Sequence, residues 1–331
     1  MRNTQIPPVG NSNRLRLPAC GALFALAMTL SSPAWAQDLT NSSSTDTAFN
    51  PQAEFAAGHG SIGLEYQHAY YHGDFDGPAN SGSNAGNIHF FIYALQASYY
   101  VADGWEAFAS LPYVEENYHG NFPHPILACL QPGGPPCAPV RTDNGSTHGT
   151  LQDWDVGMRY HAQYAGYYIA PVVELVVPSH NYSYYGTGFG ERNTQLGLGL
   201  DMTHQFDFSN FYYRAHAEYF FNQHKIGIDN DYYTFGFDLG YFVSPKLGVK
   251  VLTDVRLGNG LTDAEIGPPR PDPDFIYHDK FRLQEHGLIG AAANYLFTDR
   301  YALQVTLEHA VWGRSNGDMR FGLDVKLTRS F

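Results

Sequence analysis

The segment Met319 to Phe331 alternates in character. Phe321, Leu323, Val325 and Leu327 are apolar, and Arg320, Gly322, Asp324, Lys326, Thr328 and Ser330 between them are charged, polar or small. Successive side chains on a β-strand project to opposite faces, so this run is greasy on one side and ionic on the other. The same pattern recurs upstream from Ser61 onward. A closed ribbon of such strands separates lipid from water, and the feature predicts an all-β fold: a transmembrane antiparallel β-barrel.

About twelve segments carry the alternation. They lie at 61–74, 87–101, 105–119, 150–163, 167–180, 190–206, 211–224, 231–243, 247–258, 280–297, 301–313 and 319–331. Their connections alternate in length. Ala102-Asp103-Gly104, Tyr164-Ala165-Gly166, Asp207-Phe208-Ser209-Asn210, Ser244-Pro245-Lys246 and Thr298-Asp299-Arg300 are short, and most are rich in turn formers. The stretches Gly120 to Gly149 and Asn259 to Asp279 are long. Short turns belong on the periplasmic side and long loops outside, and an even strand count puts both chain ends in the periplasm.

The first 36 residues read as an export signal. Arg2, Arg14 and Arg16 form a basic region, Ala19 to Leu30 is apolar but too short to span a bilayer, and Ala34-Trp35-Ala36 fits a cleavage site. Its removal takes three arginines and no acids, moving the net charge from -13 to about -16. That acidity argues against nucleic-acid binding. No later apolar run is long enough for a helical span, and 24 Tyr, 22 Phe and 34 Gly suit membrane girdles, turns and curved strands. Residues 37–60 are polar and read as a periplasmic lead-in or a plug, with residues 61–331 as the barrel. Localisation in a Gram-negative outer membrane follows, with its lipids as partners.

Strand phase separates two faces. Tyr167, Ile169, Val173, Leu175 and Val177, and likewise Phe235, Phe237, Leu239, Tyr241 and Val243, face lipid. Glu65, Glu106, Asp153, Asp155, Arg159, Glu174, Asp201, Arg214, Glu218, Asp238, Lys250, Asp254, Arg256, Arg282, Glu308, Arg320, Asp324 and Lys326 face the lumen. At the bilayer midplane an Arg or Lys on the lipid face would cost about 2–4 kcal/mol. A soluble β-sandwich also alternates, but would turn its charges outward and bury its apolar face. The apolar residues Phe108, Pro112, Val114, Phe220, Phe242 and Trp312 share the lumen phase. Interleaved acids and bases permit cross-strand ion pairs, and apolar interruptions suit a pore for small hydrophobic or aromatic solutes.

Other chemistry is sparse, and neither a catalytic set, a metal site nor a cofactor is expected. Fifteen histidines are scattered, ten of them (His59, His68, His72, His119, His124, His148, His180, His224, His278 and His286) near loops or strand ends. His68 and His72 lie about 13 Å apart on a strand, too far to share a metal. Cys129 and Cys137 bracket a Pro/Gly-rich loop and read as a disulfide in an oxidising compartment. Ser315-Asn316-Gly317 is similar to part of the serine motif of outer-membrane phospholipase A, but Gly313 stands where that family has its His.

Tyr99-Tyr100-Val101-Ala102-Asp103-Gly104-Trp105-Glu106, followed by Leu111-Pro112-Tyr113-Val114, resembles the outer-membrane family named for the meta-pathway of phenol degradation. Val177-Pro178-Ser179-His180 leading to Gly186-Thr187-Gly188 is similar to a second stretch of that family, with His180 where the family carries Gly. The resemblance implies a transporter of aromatic compounds, similar in role to long-chain fatty acid and toluene transporters, with no catalytic residue to carry over. Phe331 and the apolar alternation before it suit recognition by the barrel assembly machinery. A closed structural or adhesive surface barrel is one alternative, and an outer-membrane lipid hydrolase acting through Ser315 is another.

Overall fold

The computed structural model describes residues 55–75, 81–119, 145–180, 193–207, 209–223, 230–260, 283–314 and 316–331. The expected signal segment, most of the lead-in, Cys129, Cys137, Arg282 and Ser315 lie outside them.

Twelve antiparallel strands close on themselves. They are β1 (Gly60–Phe75), β2 (Ser81–Ala102), β3 (Trp105–His119), β4 (Thr147–Leu151, Asp153–Tyr160 and Ala162–Tyr164 in succession), β5 (Tyr167–Pro178) and β6 (Gln195–Gln205). The second half comprises β7 (Phe211–Asn222), β8 (Tyr232–Ser244), β9 (Leu247–Gly258), β10 (Glu285–Thr298), β11 (Tyr301–Arg314) and β12 (Asn316–Ser330). Each strand pairs with its neighbours in sequence, and β1 pairs with β12 from Ser61 opposite Ser330 to Phe75 opposite Asn316. Closure pairs every described strand on both sides, which hydrocarbon requires. At the seam Gly60 and Phe331 exchange backbone hydrogen bonds of 3.0 and 2.9 Å.

Two prolines explain why β4 is broken. Gln152 donates to the carbonyl of Pro112 at 3.0 Å, so the position where Pro112 lacks an N–H faces the same neighbour. The β3–β4 register shifts by one residue there, from Ser110 opposite Asp155 to Tyr113 opposite Leu151. The second break, at His161, lies beside Pro171 of β5 with no change of register between Arg159 opposite Val172 and Ala162 opposite Ile169. Between β4 and β5, Ala165 and Gly166 form a two-residue turn with φ of 50° and 83°, the signature of a type I′ hairpin.

The two faces are inverted relative to a soluble protein. Leu64, Val173, Phe237 and Val251 are 62%, 52%, 46% and 58% exposed, whereas Glu106 and Glu174 are 0% and 1% exposed. A continuous apolar exterior of this extent marks membrane contact and excludes the sandwich arrangement. Aromatic side chains gather towards both ends of the outer face. Tyr219 meets Tyr233 at 4.4 Å in one belt, and Trp105 meets Tyr160 at 4.9 Å and Phe211 meets Tyr241 at 4.8 Å in the other. On β8 the step from Tyr233 to Tyr241 is roughly 27 Å along the strand, or about 20 Å along the membrane normal at a tilt of about 40°. That approaches the height of an outer-membrane apolar band.

Candidate functional site: the inner face of the barrel

Three polar networks are built on the inward rows. In the first, Glu65 of β1 stands opposite Lys326 of β12, and Gln67 and Gln96 both donate to its carboxylate. Asp324, opposite Gln67, accepts from Thr306 of β11 at 3.5 Å, and Gln304 donates to the Thr306 hydroxyl at 3.1 Å. In the second, Arg159 of β4 lies 3.4 Å from Glu106 of β3 and 3.4 Å from Asp201 of β6. Asp201 also meets Arg214 of β7 at 3.4 Å, and Glu106 meets Nε2 of His161 at 2.8 Å. In the third, Lys250 of β9 meets Asp238 of β8 at 2.8 Å, and His216 of β7 meets Asp254 of β9 at 3.5 Å. Pairing acid and base across strands offsets the desolvation that burial imposes on each charge.

Large side chains lie flat on the wall because glycines opposite them leave room. A Cβ at Gly157 would fall 2.3 Å from the Phe108 ring, and one at Gly240 would fall 2.1 Å from Tyr212. Phe108 thereby receives the Arg159 guanidinium 4.5 Å from its centroid, and Tyr212 stacks on Phe242 at 4.8 Å. Arg256 sits 3.2 Å over Tyr232, which stacks on Phe220 at 4.7 Å and donates to Gln195 at 2.7 Å.

Apolar groups interrupt the polar rows. Ala69, Tyr71, Phe90, Ile92, Val114, Leu288, Ala310 and Met319 form one buried cluster on β1–β3 and β10–β12. Val176, Phe220 and Tyr232 form a second. A cavity of about 20 Å³, enough for about one water, lies among residues that include Arg159, Glu174, Asp201, His216, Glu218 and Asp254.

Of the expected inner residues, Glu106, Asp155, Arg159, Glu174, Arg214, Lys250, Arg256, Asp324 and Lys326 are buried. Pro112 is buried opposite Ala94, and Phe108, Asp201, Glu218, Asp238, Asp254 and Glu308 are half-buried on the inward rows. Two expected residues depart. Tyr70 pairs with Phe321 but Tyr71 pairs with Met319, so Arg320 is the extra residue of a bulge. It is 46% exposed and bonds Asp318 at 2.6 Å, while Met319 takes the inward place. Likewise Leu288 pairs with Ala310 and Gly287 with Trp312, which makes Val311 the extra residue. The shift gives the inward place opposite His286 to Gly313 and leaves Trp312 opposite Gly287. A bulge moves every later side chain to the other face. His286 also departs from the interfacial position expected of it, being 1% exposed beside Arg256.

Sequence reasoning missed Gln67, Gln96 and Gln195 on the inner rows, although their parity was available. Phe55, in the segment expected as a lead-in or plug, stacks its ring on His161 at the short-turn end of the barrel. Among the described residues there is no cluster of three or more metal-ligating side chains.

No family model matches the chain, and no curated protein does. Among solved structures, the COG4313 outer membrane channel from Pseudomonas putida F1 aligns with a TM-score of 0.63 at 14% identity, covering 86% of this chain and 100% of that one. The fold is that of an outer-membrane β-barrel, an architecture of the Gram-negative outer membrane. The toluene transporter TodX of P. putida aligns at a TM-score of 0.38 and 9% identity over 82% of this chain and 90% of its own. The KdgM porin aligns at 0.42 and 9% over 82% and 99%.

Proposed function

We propose that this barrel is an outer-membrane channel for the passive uptake of small hydrophobic or aromatic compounds. The observation that carries the reading is the composition of the inner face, where paired charges alternate with apolar clusters inside an apolar exterior. Twelve strands fall between eight-stranded barrels filled by side chains and the sixteen- to eighteen-stranded porins that hold open water. A passage of intermediate width, part polar and part apolar, suits a small solute with one weakly polar group. Lipid on the outside, a small solute inside and the assembly machinery at the Phe331 strand are the partners this reading requires.

The same inner face supports a second reading. Glu106, Ile92 and Val114 are 0% exposed, so water does not reach them in this state, as a closed structural barrel requires. One experiment separates the two. Purified full-length protein in planar bilayers is expected to give discrete conductance, and proteoliposomes are expected to swell in phenol faster than protein-free vesicles. Absence of both conductance and swelling overturns the channel and favours the closed barrel.

A further inference from the structure

We infer that the periplasmic mouth of the barrel carries a binding site for an uncharged monocyclic aromatic ring, which the chain's own Phe55 occupies when no solute is present. The inference rests on the channel reading above and names where its solute is held before release.

The Phe55 ring stacks on His161 with centroids 4.5 Å apart and planes 16° from parallel. Tyr100 and Tyr168 flank it, tilted, at 5.9 and 6.3 Å. These distances span the range in which ring pairs attract. The imidazole is fixed in turn, because its Nε2 lies 2.8 Å from Glu106 Oε2 and 3.5 Å from the Tyr100 hydroxyl. Glu106 is 0% exposed and Tyr100 5%, both on inward rows, so the ring is held on the inner side of the wall.

Two features distinguish Phe55 from a core residue. First, it is only half-buried, whereas the inner rings of Phe220 and Tyr232 are each 1% exposed. Second, the segment around it is held by its backbone and not by the ring. Gly104 N donates to the Phe55 carbonyl at 2.8 Å, Ala57 N donates to Asp103 Oδ1 at 2.9 Å, and Gly58 and Tyr100 are joined at 2.9 Å. The ring can therefore swing out while the strap stays tied to the β2–β3 turn. What it leaves is a slot one ring wide, with a flat imidazole floor and two phenol walls. Carboxylates at Glu106 and Asp103 stand close by, so an anionic ring is disfavoured and a neutral one fits.

The test is phenol binding to the full-length chain in detergent, followed by ligand-observed NMR titration. Removing the tethered competitor, Phe55→Ala is expected to tighten phenol binding by on the order of two- to tenfold. Adding His161→Ala is expected to abolish that gain, and Phe55→Tyr to keep wild-type affinity. Equal affinity in wild type and Phe55→Ala overturns the inference, as does a gain that survives His161→Ala. Heat-modifiable migration in gels verifies that each barrel is folded, and Phe55→Leu replaces Phe55→Ala if the latter is not. Binding is read without transport. A barrel that passes phenol but shows no gain on Phe55→Ala overturns this site alone, and one that shows the gain but passes nothing overturns only the channel.

Discussion

Arg159 shows how a side chain on the inner face is held: its guanidinium touches Glu106, Asp201 and the face of Phe108, and it is 5% exposed. Deleting it takes one cation from each of two inner-face carboxylates, leaving Glu106 to His161 and Asp201 to Arg214. Arg159→Ala is therefore expected to lower stability by about 3–5 kcal/mol. Arg320→Ala, at an exposed ion pair, is expected to cost less than about 1 kcal/mol. Urea unfolding of the barrel in lipid vesicles, followed by tryptophan fluorescence, measures both, and equal losses would contradict the placement of the two arginines. Much of this residue-level picture was legible in the chain. The parity of β3 and β4 marked Glu106, Arg159 and Asp155 as inward, because lipid excludes charge from the other face. Which of them pair was not legible, since Arg159 and Glu106 are separated by 53 residues and their meeting depends on strand register. Neutral Gln67 and Gln96 gave no charge signal and were passed over, although Glu65 depends on both.

At the scale of elements, the short turns and the strand count were written in turn formers and alternation, and the irregularities were not. Two bulges, at Arg320 and Val311, invert the phase of the last residues and move Arg320 and Trp312 off the inner rows. A bulge is an agreement between two strands about which carbonyl meets which N–H, and one strand read alone does not contain it. The breaks in β4 have the same origin, because their causes, Pro112 and Pro171, sit on the neighbouring strands. The β4–β5 hairpin offers a direct check. Ala165 adopts φ of 50° ahead of Gly166 at 83°, a conformation that an L-residue other than Asn or Gly adopts at a cost of roughly 1–2 kcal/mol. Ala165→Asn makes the favoured Asn-Gly pair and is expected to stabilise the barrel by about 0.5–1 kcal/mol. A higher urea midpoint than wild type in the same vesicles is the expected result, and a lower one would contradict the turn type.

The whole molecule is organised by one inversion, with apolar side chains outside and ion pairs inside. Phe237, in the middle of β8 and facing outward, tests it against its inward neighbour. Phe237→Arg is expected to destabilise the folded barrel by about 2–4 kcal/mol in a bilayer. Asp238→Glu, which keeps a carboxylate for Lys250 on the inner face, is expected to cost about 1 kcal/mol. Parallel refolding yields into vesicles compare the two, and the reverse order would place the faces the wrong way round. By itself the sequence determined that the chain alternates, how many strands it has, which loops are long and which face of most strands carries charge. Those are local properties, set by the two-residue repeat of a strand and by the cost of a charge in hydrocarbon. Only the tertiary structure decided which charges meet, where the phase slips, how glycines let rings lie flat against the wall, and that the Phe55 ring packs on His161. Each of these depends on contacts between strands, made only when their register against one another is set.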